Sequence, residues 1–210
     1  MPPIRASIAS LSSELDEIAS ELHSARVKAA QPFAESIQSS VRGLEMPYAI
    51  FEVSVNDAPL SGTGSDGVTF RFSSTGRNPI DIAKCASGGE MSRIMLSLKE
   101  MMSRFSKMPT MIFDEIDTGV SGSVADKMGS MICEMGTKMQ VFAITHLPQV
   151  AAKGSAHYLV EKHVGPDAKA VSTIRPVSGD ERVLEVARML SGSVLTPAAI
   201  ANAKSLLGED

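Results

Sequence analysis

The chain has 210 residues, enough for one domain or for a domain with an appended segment. Hydrophobic residues make up 43% of it, and a net charge of -4 with 21% charged residues argues against a disordered polyelectrolyte. This mild acidity gives no support to strong nonspecific DNA binding, and 4% aromatic residues leave few platforms on which single-stranded bases stack.

The cysteines and the hydropathy argue against disulfide-bonded, metal-binding and membrane-spanning classes of protein. Cys85 and Cys133 form neither a CxxC pair nor a Cys/His cluster, which predicts two reduced thiols and no metal site of this type. No apolar run reaches the length of a membrane span, and the N-terminus has no signal-peptide pattern. We therefore expect a cytoplasmic protein without a membrane partner.

The first 46 residues are predicted to be helical. Their apolar positions recur at alternating steps of three and four, which is the a/d pattern of a coiled-coil seam: Ile8, Leu11, Leu15, Ile18, Leu22, Ala25 and Ala29. Pro32 either interrupts this helix or opens a new turn, after which Ile37, Val41 and Leu44 resume the stripe. Two interpretations remain open: a helix packed on its own domain, or one strand of an antiparallel coiled coil with a partner outside the chain.

The rest of the chain alternates strands and helices. Strands are predicted at 50–55 and 67–73, joined by a turn-rich, flexible stretch at 56–67. Further strands are predicted at 111–113, 141–144, 158–162 and 170–177. Helices are predicted at about 87–105, 123–135 and 181–190, with a last one beginning at Thr196-Pro197. This alternation predicts an α/β fold with an at least partly parallel sheet flanked by helices.

Ser87, Gly88, Gly89 and Glu90 directly precede a long predicted helix. Two glycines let the backbone approach a ligand closely, and a helix N-terminus offers unpaired N–H groups with partial positive charge. Together these features bind phosphate. A serine followed three residues later by glutamate is also typical of an ordinary helix cap, so both interpretations stay open.

A second motif lies at the end of the apolar strand 111–113, where Asp114 and Glu115 are followed by Asp117. The carboxyl ends of strands form the ligand sites of α/β proteins. One carboxylate there can hold Mg²⁺, usually through water, while the next orients or activates a water for attack on a phosphoryl group. A solvated acidic turn is the alternative, but three acids within four residues favour a site.

A third motif is the apolar strand 141–144 followed by Thr145-His146. A histidine at this position can reach a γ-phosphate or help to position the attacking water. A hydrogen-bonded structural histidine is the alternative, and it is our interpretation of His23, His157 and His163.

The order of these motifs resembles the C-terminal half of an ABC-type ATPase head, with a signature motif, a Walker B strand and a switch histidine. The amino-acid sequences of 86–96, 112–122 and 145–151 resemble more specifically those of the RecN-like family of SMC-related proteins. Gly119-Val-Ser-Gly122 stands where transporter-type and SMC heads usually carry Leu-Asp. The resemblance extends over essentially the whole chain, because it includes the N-terminal heptads and Val186 to Leu190. The heptads would be the returning helix of a coiled-coil arm. Residues 56–80 are the least diagnostic part of the resemblance.

The resemblance implies ATP hydrolysis with Mg²⁺ in a protein of DNA double-strand break repair and recombination, associated with the nucleoid. Two heads, as a homodimer, would enclose two ATP molecules, and DNA would bind through the complete protein. The resemblance assigns γ-phosphate contacts in trans to Ser87, Gly88, Gly89 and Glu90. It assigns Mg²⁺ to Asp114, activation of water to Glu115 and the γ-phosphate of its own head to His146.

The sequence has no Gly-x-x-x-x-Gly-Lys-[Ser/Thr] loop, which cradles the phosphates in such heads. RecN-like proteins carry it in an N-terminal lobe ahead of the arm. We therefore expect residues 1–46 to be the returning arm helix and 47–210 to be the C-terminal half of the head. Its partner would be the missing Walker A lobe, and the chain alone is expected to be nearly inactive.

Two alternatives remain. One is an SMC-type head that organises chromosomes. The other is a non-catalytic dimerisation or binding module that acts through the N-terminal helix and an exposed apolar face. A serine hydrolase is disfavoured because the sequence has no Gly-x-Ser-x-Gly elbow.

Overall fold

The structure is a computed structural model that describes residues 2–84, 87–106, 108–114, 116–164 and 170–209. It divides into two compact units, Met1–Ser97 and Leu98–Asp210. The functional division at residue 46 predicted from the sequence stays a prediction. Within the described residues, no helix combines the length and the apolar character needed to cross a bilayer.

The first unit consists of a long helix and an antiparallel sheet. Helix α1 (Pro2–Gly43) is followed by strands β1 (Ile50–Ser61), β2 (Gly64–Ser73) and β3 (Ile80–Asp81), then by a short 3-10 helix (Ile82–Lys84) and the first turns of α2 (Gly88–Phe105). The sheet order is β1-β2-β3. The C-terminal half of α1, the loop that follows it and the sheet all contribute buried apolar side chains: Ala34, Ile37, Val41, Leu44, Met46, Ala49, Phe51 and Phe72.

Helix α1 continues through Pro32 without interruption. A proline inside a helix removes one backbone hydrogen bond and its ring crowds the preceding turn. Pro32 lies on the exposed side of α1. The next residue, Phe33, packs against Phe51 and Phe70 with ring centroids 6.3 and 6.0 Å apart. This packing on the sheet accounts for the unbroken helix, because burial of aromatic surface offsets the local cost.

The stretch 56–67 differs from the flexible turn expected from its sequence. Strands β1 and β2 continue through most of it in register from Ile50↔Ser73 to Asp57↔Asp66, and an irregularity follows before Ser61↔Gly64. Gly64 has a φ of +99°, and a β-carbon there would lie 2.9 Å from Leu22 Cδ2 on α1. The tip of the hairpin is therefore ordered by its contact with the helix. The glycines and prolines of the local sequence give no sign of this tertiary contact.

A buried carboxylate fixes this contact. The side chain of Asp66 is fully buried, His23 Nδ1 lies 2.5 Å from its Oδ1, and Arg26 Nη1 donates to its Oδ2 at 3.1 Å. The hydrogen bond with His23 and the contacts with Arg26 lower the pKa of Asp66 below its usual value. Asp66 thus joins the hairpin to α1 across 40 and 43 residues of sequence.

We predict that Asp66→Asn lowers the stability of the chain near pH 7 and that this loss shrinks on acidification. Because the pKa of Asp66 is lowered in the folded state, its contribution is complete above the unfolded pKa of about 4 and disappears as the pH falls through the lower folded value. Urea unfolding of the parent chain and of Asp66→Asn, at pH 7 and below pH 4, measures the difference between their unfolding free energies. Asp16→Asn on the exposed side of α1 is the matched control. A difference between Asp66→Asn and the parent chain that does not change with pH would contradict the pairing.

The second unit holds the remaining elements. The end of α2 is followed by β4 (Thr110–Asp114), α3 (Gly122–Gly136), β5 (Gln140–Ile144), α4 (Pro148–Ala151), β6 (His157–Val164), β7 (Ala170–Val177), α5 (Gly179–Ser191) and α6 (Pro197–Leu207). Strands β4 and β5 are parallel, which confirms the expected partly parallel sheet, and β6 and β7 are antiparallel.

Local capping and packing explain the closing helices. Thr196 caps α6 by accepting a hydrogen bond from the N–H of Ala199 at 3.1 Å, and Pro197 follows it, as predicted from the sequence. Helices α5 and α6 share one apolar cluster of Val183, Val186, Ala187, Ala199 and Ala203. The small residues in this cluster allow the two helices to pack closely.

Candidate functional site

Ser87 caps helix α2 in the first unit. Its Oγ accepts a hydrogen bond from the N–H of Glu90 at 3.4 Å, and its carbonyl accepts one from Met91 at 3.0 Å. Gly88 is exposed, and a β-carbon there would meet no atom within 4 Å. Helix geometry leaves the N–H groups of Gly88 and Gly89 without intrahelical acceptors. The segment is therefore a helix cap, and Gly88 is an exposed position at its N-terminus.

Arg93 connects this segment to the end of α1. Its Nε donates to the carbonyl of Gly89 at 3.0 Å, and its Nη1 donates to the carbonyl of Leu44 at 3.2 Å. One turn farther along α2, the fully buried Ser97 accepts a hydrogen bond from Ser40 at 2.9 Å. The first turns of α2 are therefore held in a fixed position against the base of α1.

We predict that Ser87→Ala destabilises the chain by about 1 kcal/mol, because it removes the side-chain acceptor at the helix N-terminus. Ser121 is a matched control: it is the N-cap residue of α3, but its side chain makes no capping hydrogen bond. We expect Ser121→Ala to change the unfolding free energy far less in the same urea titration. Equal losses in the two variants would show that Ser87 does not act as a cap.

The second unit brings two of the predicted motifs to one edge of a sheet. Strand β4 buries Phe113 and ends at the exposed Asp114, while β5 ends opposite it at Ile144. Because the strands are parallel, the segments that follow them both begin at the carboxyl edge. Glu115, the predicted water-activating residue, lies outside the described residues.

The turn after β4 buries Asp117, whose side chain is 1% exposed. Its Oδ2 accepts hydrogen bonds from the Thr145 hydroxyl and, at 3.3 Å, from the backbone N–H of His146. The Thr145 hydroxyl oxygen accepts the N–H of Leu147 at 3.0 Å. One carboxylate from the β4 turn thus organises the loop that follows β5.

This arrangement leaves the imidazole of His146 open to solvent. Its side chain is 73% exposed, and its Nδ1 lies 3.5 Å from Asp117 Oδ1. The structure therefore places Asp114 and His146 at the same edge, as the sequence predicted. Asp117 was missing from the predicted site residues. Its signal was the third acid of the Asp-Glu-Ile-Asp run, although only the structure shows that it faces inward.

The described residues contain no group of three or more His, Cys, Asp or Glu side chains that could hold a metal ion. Mg²⁺ does not need such a group, since it keeps several waters and commonly binds one or two carboxylates together with substrate phosphates. The exposed Asp114 at the end of β4 fits this mode of binding.

Two of the other described histidines, His157 and His23, have structural surroundings. Burial lowers the pKa of His157, and the charge of Arg182 adds to this effect. Arg182 also donates to the carbonyl of Gly154 at 3.0 Å. His23 pairs with Asp66 on the hairpin. These contacts support the structural interpretation of both histidines.

Comparison with solved structures defines the fold. An SMC head domain with coiled coil and joint from Pyrococcus yayanosii matches 88% of this chain with a TM-score of 0.67 at 18% identity, and the match covers 34% of that chain. A second structure, from work on the ATP-driven dimerization and DNA-stimulated activation of SMC ATPases, matches 78% of this chain with a TM-score of 0.53 at 19% identity, covering 96% of its own length. The chain has the fold of part of an SMC head domain with coiled coil.

Sequence comparison gives the particular relatives. The chain is 41% identical to the DNA repair protein RecN of Rickettsia conorii over 194 residues, which are 91% of this chain and 35% of that protein. It is 38% identical to RecN of Haemophilus influenzae over 197 residues, again with 35% of that protein covered. No protein-family model matches. The chain is therefore a homologue of RecN, and it spans about a third of the length of the curated relatives it matches.

Proposed function

We propose that this chain is the signature, Walker B and switch-histidine part of a RecN-like head and that the complete head hydrolyses ATP in DNA double-strand break repair. The observation that carries this proposal is the shared edge of β4 and β5. There, Asp114 and His146 are exposed, while the buried Asp117 links the two loops.

The proposed roles of Asp114 and His146 fit their exposed positions. Asp114 would hold Mg²⁺ through water, and Glu115, next to it in sequence, would orient and activate the attacking water. His146 would donate to a γ-phosphate oxygen from its exposed ring. When bound, Mg²⁺ supplies positive charge at the phosphate oxygens. The N–H groups at Gly88 and Gly89, with Ser87 and Glu90, would contact the γ-phosphate of an opposing head in a dimer.

A second lobe that carries the Walker A loop is part of this proposal. Ile112 and Phe142 are paired across β4 and β5 and are exposed, as is Ile144 on the same face of the sheet. A contiguous apolar sheet face is typical of a surface that another part of the protein covers. The chain spans about a third of the length of the RecN relatives it matches.

The first half of α1 supports a coiled-coil arm. The seam residues Ile8, Leu11, Leu15, Ile18 and Leu22 are all exposed. Their heptad spacing and the polar residues between them are those of a helix that pairs with another helix. In this proposal that helix belongs to the partner lobe.

The test of catalysis is ATP turnover by the chain alone and by the chain mixed with the N-terminal lobe of a RecN relative. We predict turnover in the mixture only. Glu115→Gln should reduce kcat by about 100-fold or more, because it removes the group that activates the attacking water. Glu134→Gln on the exposed side of α3 is the matched control and should retain activity.

Two outcomes would count against the proposal. Turnover by the chain alone that Glu115→Gln removes would show that a separate Walker A lobe is not required. A folded mixture without turnover would favour the alternative, a non-catalytic dimerisation or binding module. Sedimentation of the chain over a range of concentrations then decides whether that module self-associates.

The arm makes a separate prediction. Leu11→Glu places a charge in the exposed seam. It also removes the burial that Leu11 would gain on pairing with a partner helix, which is worth about 1.5–3 kcal/mol. We therefore expect its affinity for the partner lobe, measured by titration calorimetry, to fall about tenfold or more. Ser13→Glu adds the same charge at an exposed position away from the seam and should have little effect. Equal affinities of the two variants would contradict pairing through the seam.

A further inference from the structure

Asp117 carries one oxygen that its surroundings do not satisfy. Oδ2 accepts hydrogen bonds from Thr145 and from the backbone of His146. Oδ1 is buried and has no hydrogen-bond donor among the described residues. Leaving a buried carboxylate oxygen without a donor is costly, so such an oxygen indicates a donor that approaches it in the working state.

The imidazole of His146 is the group placed to supply that donor. Its Nδ1 lies 3.5 Å from Oδ1, beyond the usual length of a hydrogen bond. Functional hydrogen bonds are often long before the substrate binds and shorten in the complex. Because the side chain of His146 is largely exposed, a rotation of the ring is enough to close this distance.

We propose that Asp117 is a positioning residue: its buried carboxylate accepts the Nδ1 proton of His146 and thereby directs Nε2 toward the open edge of the sheet. The partner of one ring nitrogen determines which nitrogen of a neutral imidazole carries the proton. With Nδ1–H bonded to Asp117, Nε2 is the free nitrogen. When both ring nitrogens carry a proton, Nδ1–H is held by the carboxylate and Nε2–H can donate to an anionic oxygen.

The loop around His146 supports this role. Thr145 uses one hydroxyl for two bonds, as a donor to Asp117 and as an acceptor from Leu147. The backbone N–H of His146 is therefore bound to the carboxylate directly, and that of Leu147 is linked to it through the Thr145 hydroxyl. Since Asp117 lies in the turn that follows β4, a displacement of that turn is transmitted to the ring of His146. The consequence for turnover rests on the proposed function, whereas the position of the proton does not.

The direct test is a long-range ¹H–¹⁵N NMR spectrum of the labelled chain at about pH 8, where an ordinary histidine is neutral. His146→Gln identifies the signals of this ring among those of the four histidines. We expect the proton of His146 on Nδ1. In Asp117→Asn the new amide can donate to Nδ1, so the proton is expected to move to Nε2. Asp126 lies on α3 and pairs with Lys153. Asp126→Asn is therefore the matched control, and it should leave the proton of His146 on Nδ1.

The spectrum of the unmodified chain already shows which nitrogen of His146 carries the proton. The test therefore remains valid if Asp117→Asn does not fold. A neutral His146 with its proton on Nε2 in the unmodified chain would overturn the proposal. So would a folded Asp117→Asn variant in which the ring keeps its Nδ1 proton.

Turnover tests the functional consequence. In a mixture that hydrolyses ATP, we expect Asp117→Asn to lower kcat about 10- to 100-fold, with the KM for ATP changed less than about twofold. A folded variant with unchanged kcat would overturn the positioning role. If the unmodified mixture has no activity, the proposed function fails, but the NMR result still decides where Asp117 holds the proton.

Discussion

The parallel pairing of β4 with β5 is the constraint on which the candidate site depends. It brings the carboxyl ends of two apolar strands to one edge, although 30 residues separate Thr110 from its partner Gln140. The turn that follows β4 also buries a carboxylate, which needs hydrogen-bond donors from the protein. Asp117 meets this requirement by accepting the hydroxyl of Thr145 and the backbone N–H of His146. One buried carboxylate thereby determines the path of the loop and leaves the imidazole accessible.

The first unit is built on a different requirement, which is to hold one end of a long helix while the other end stays free. The C-terminal half of α1 buries its apolar side chains against the sheet. Asp66 then fixes the tip of the hairpin to the middle of the helix through His23 and Arg26. Beyond that contact the seam residues are exposed, as expected for a helix that finds its partner in another polypeptide segment.

Local signals were sufficient to predict much of this structure. Apolar periodicity identified α1 and the strands, and the Thr196-Pro197 cap marked the start of α6. Tertiary contacts decided the rest. Pro32 stays helical because the neighbouring Phe33 packs on the sheet, and 56–67 is mostly strand because its tip contacts Leu22. The burial of Asp117 depends on a pairing with Thr145, which is 28 residues away, and no local pattern reveals it.

The measurement that tests the account most directly is a structure of this chain assembled with a Walker A lobe, a non-hydrolysable ATP analogue and Mg²⁺. We expect the γ-phosphate next to Nε2 of His146, the metal ion near Asp114, and the N-terminus of α2 facing the γ-phosphate of a second head. A nucleotide bound without contact to either His146 or Asp114 would contradict it.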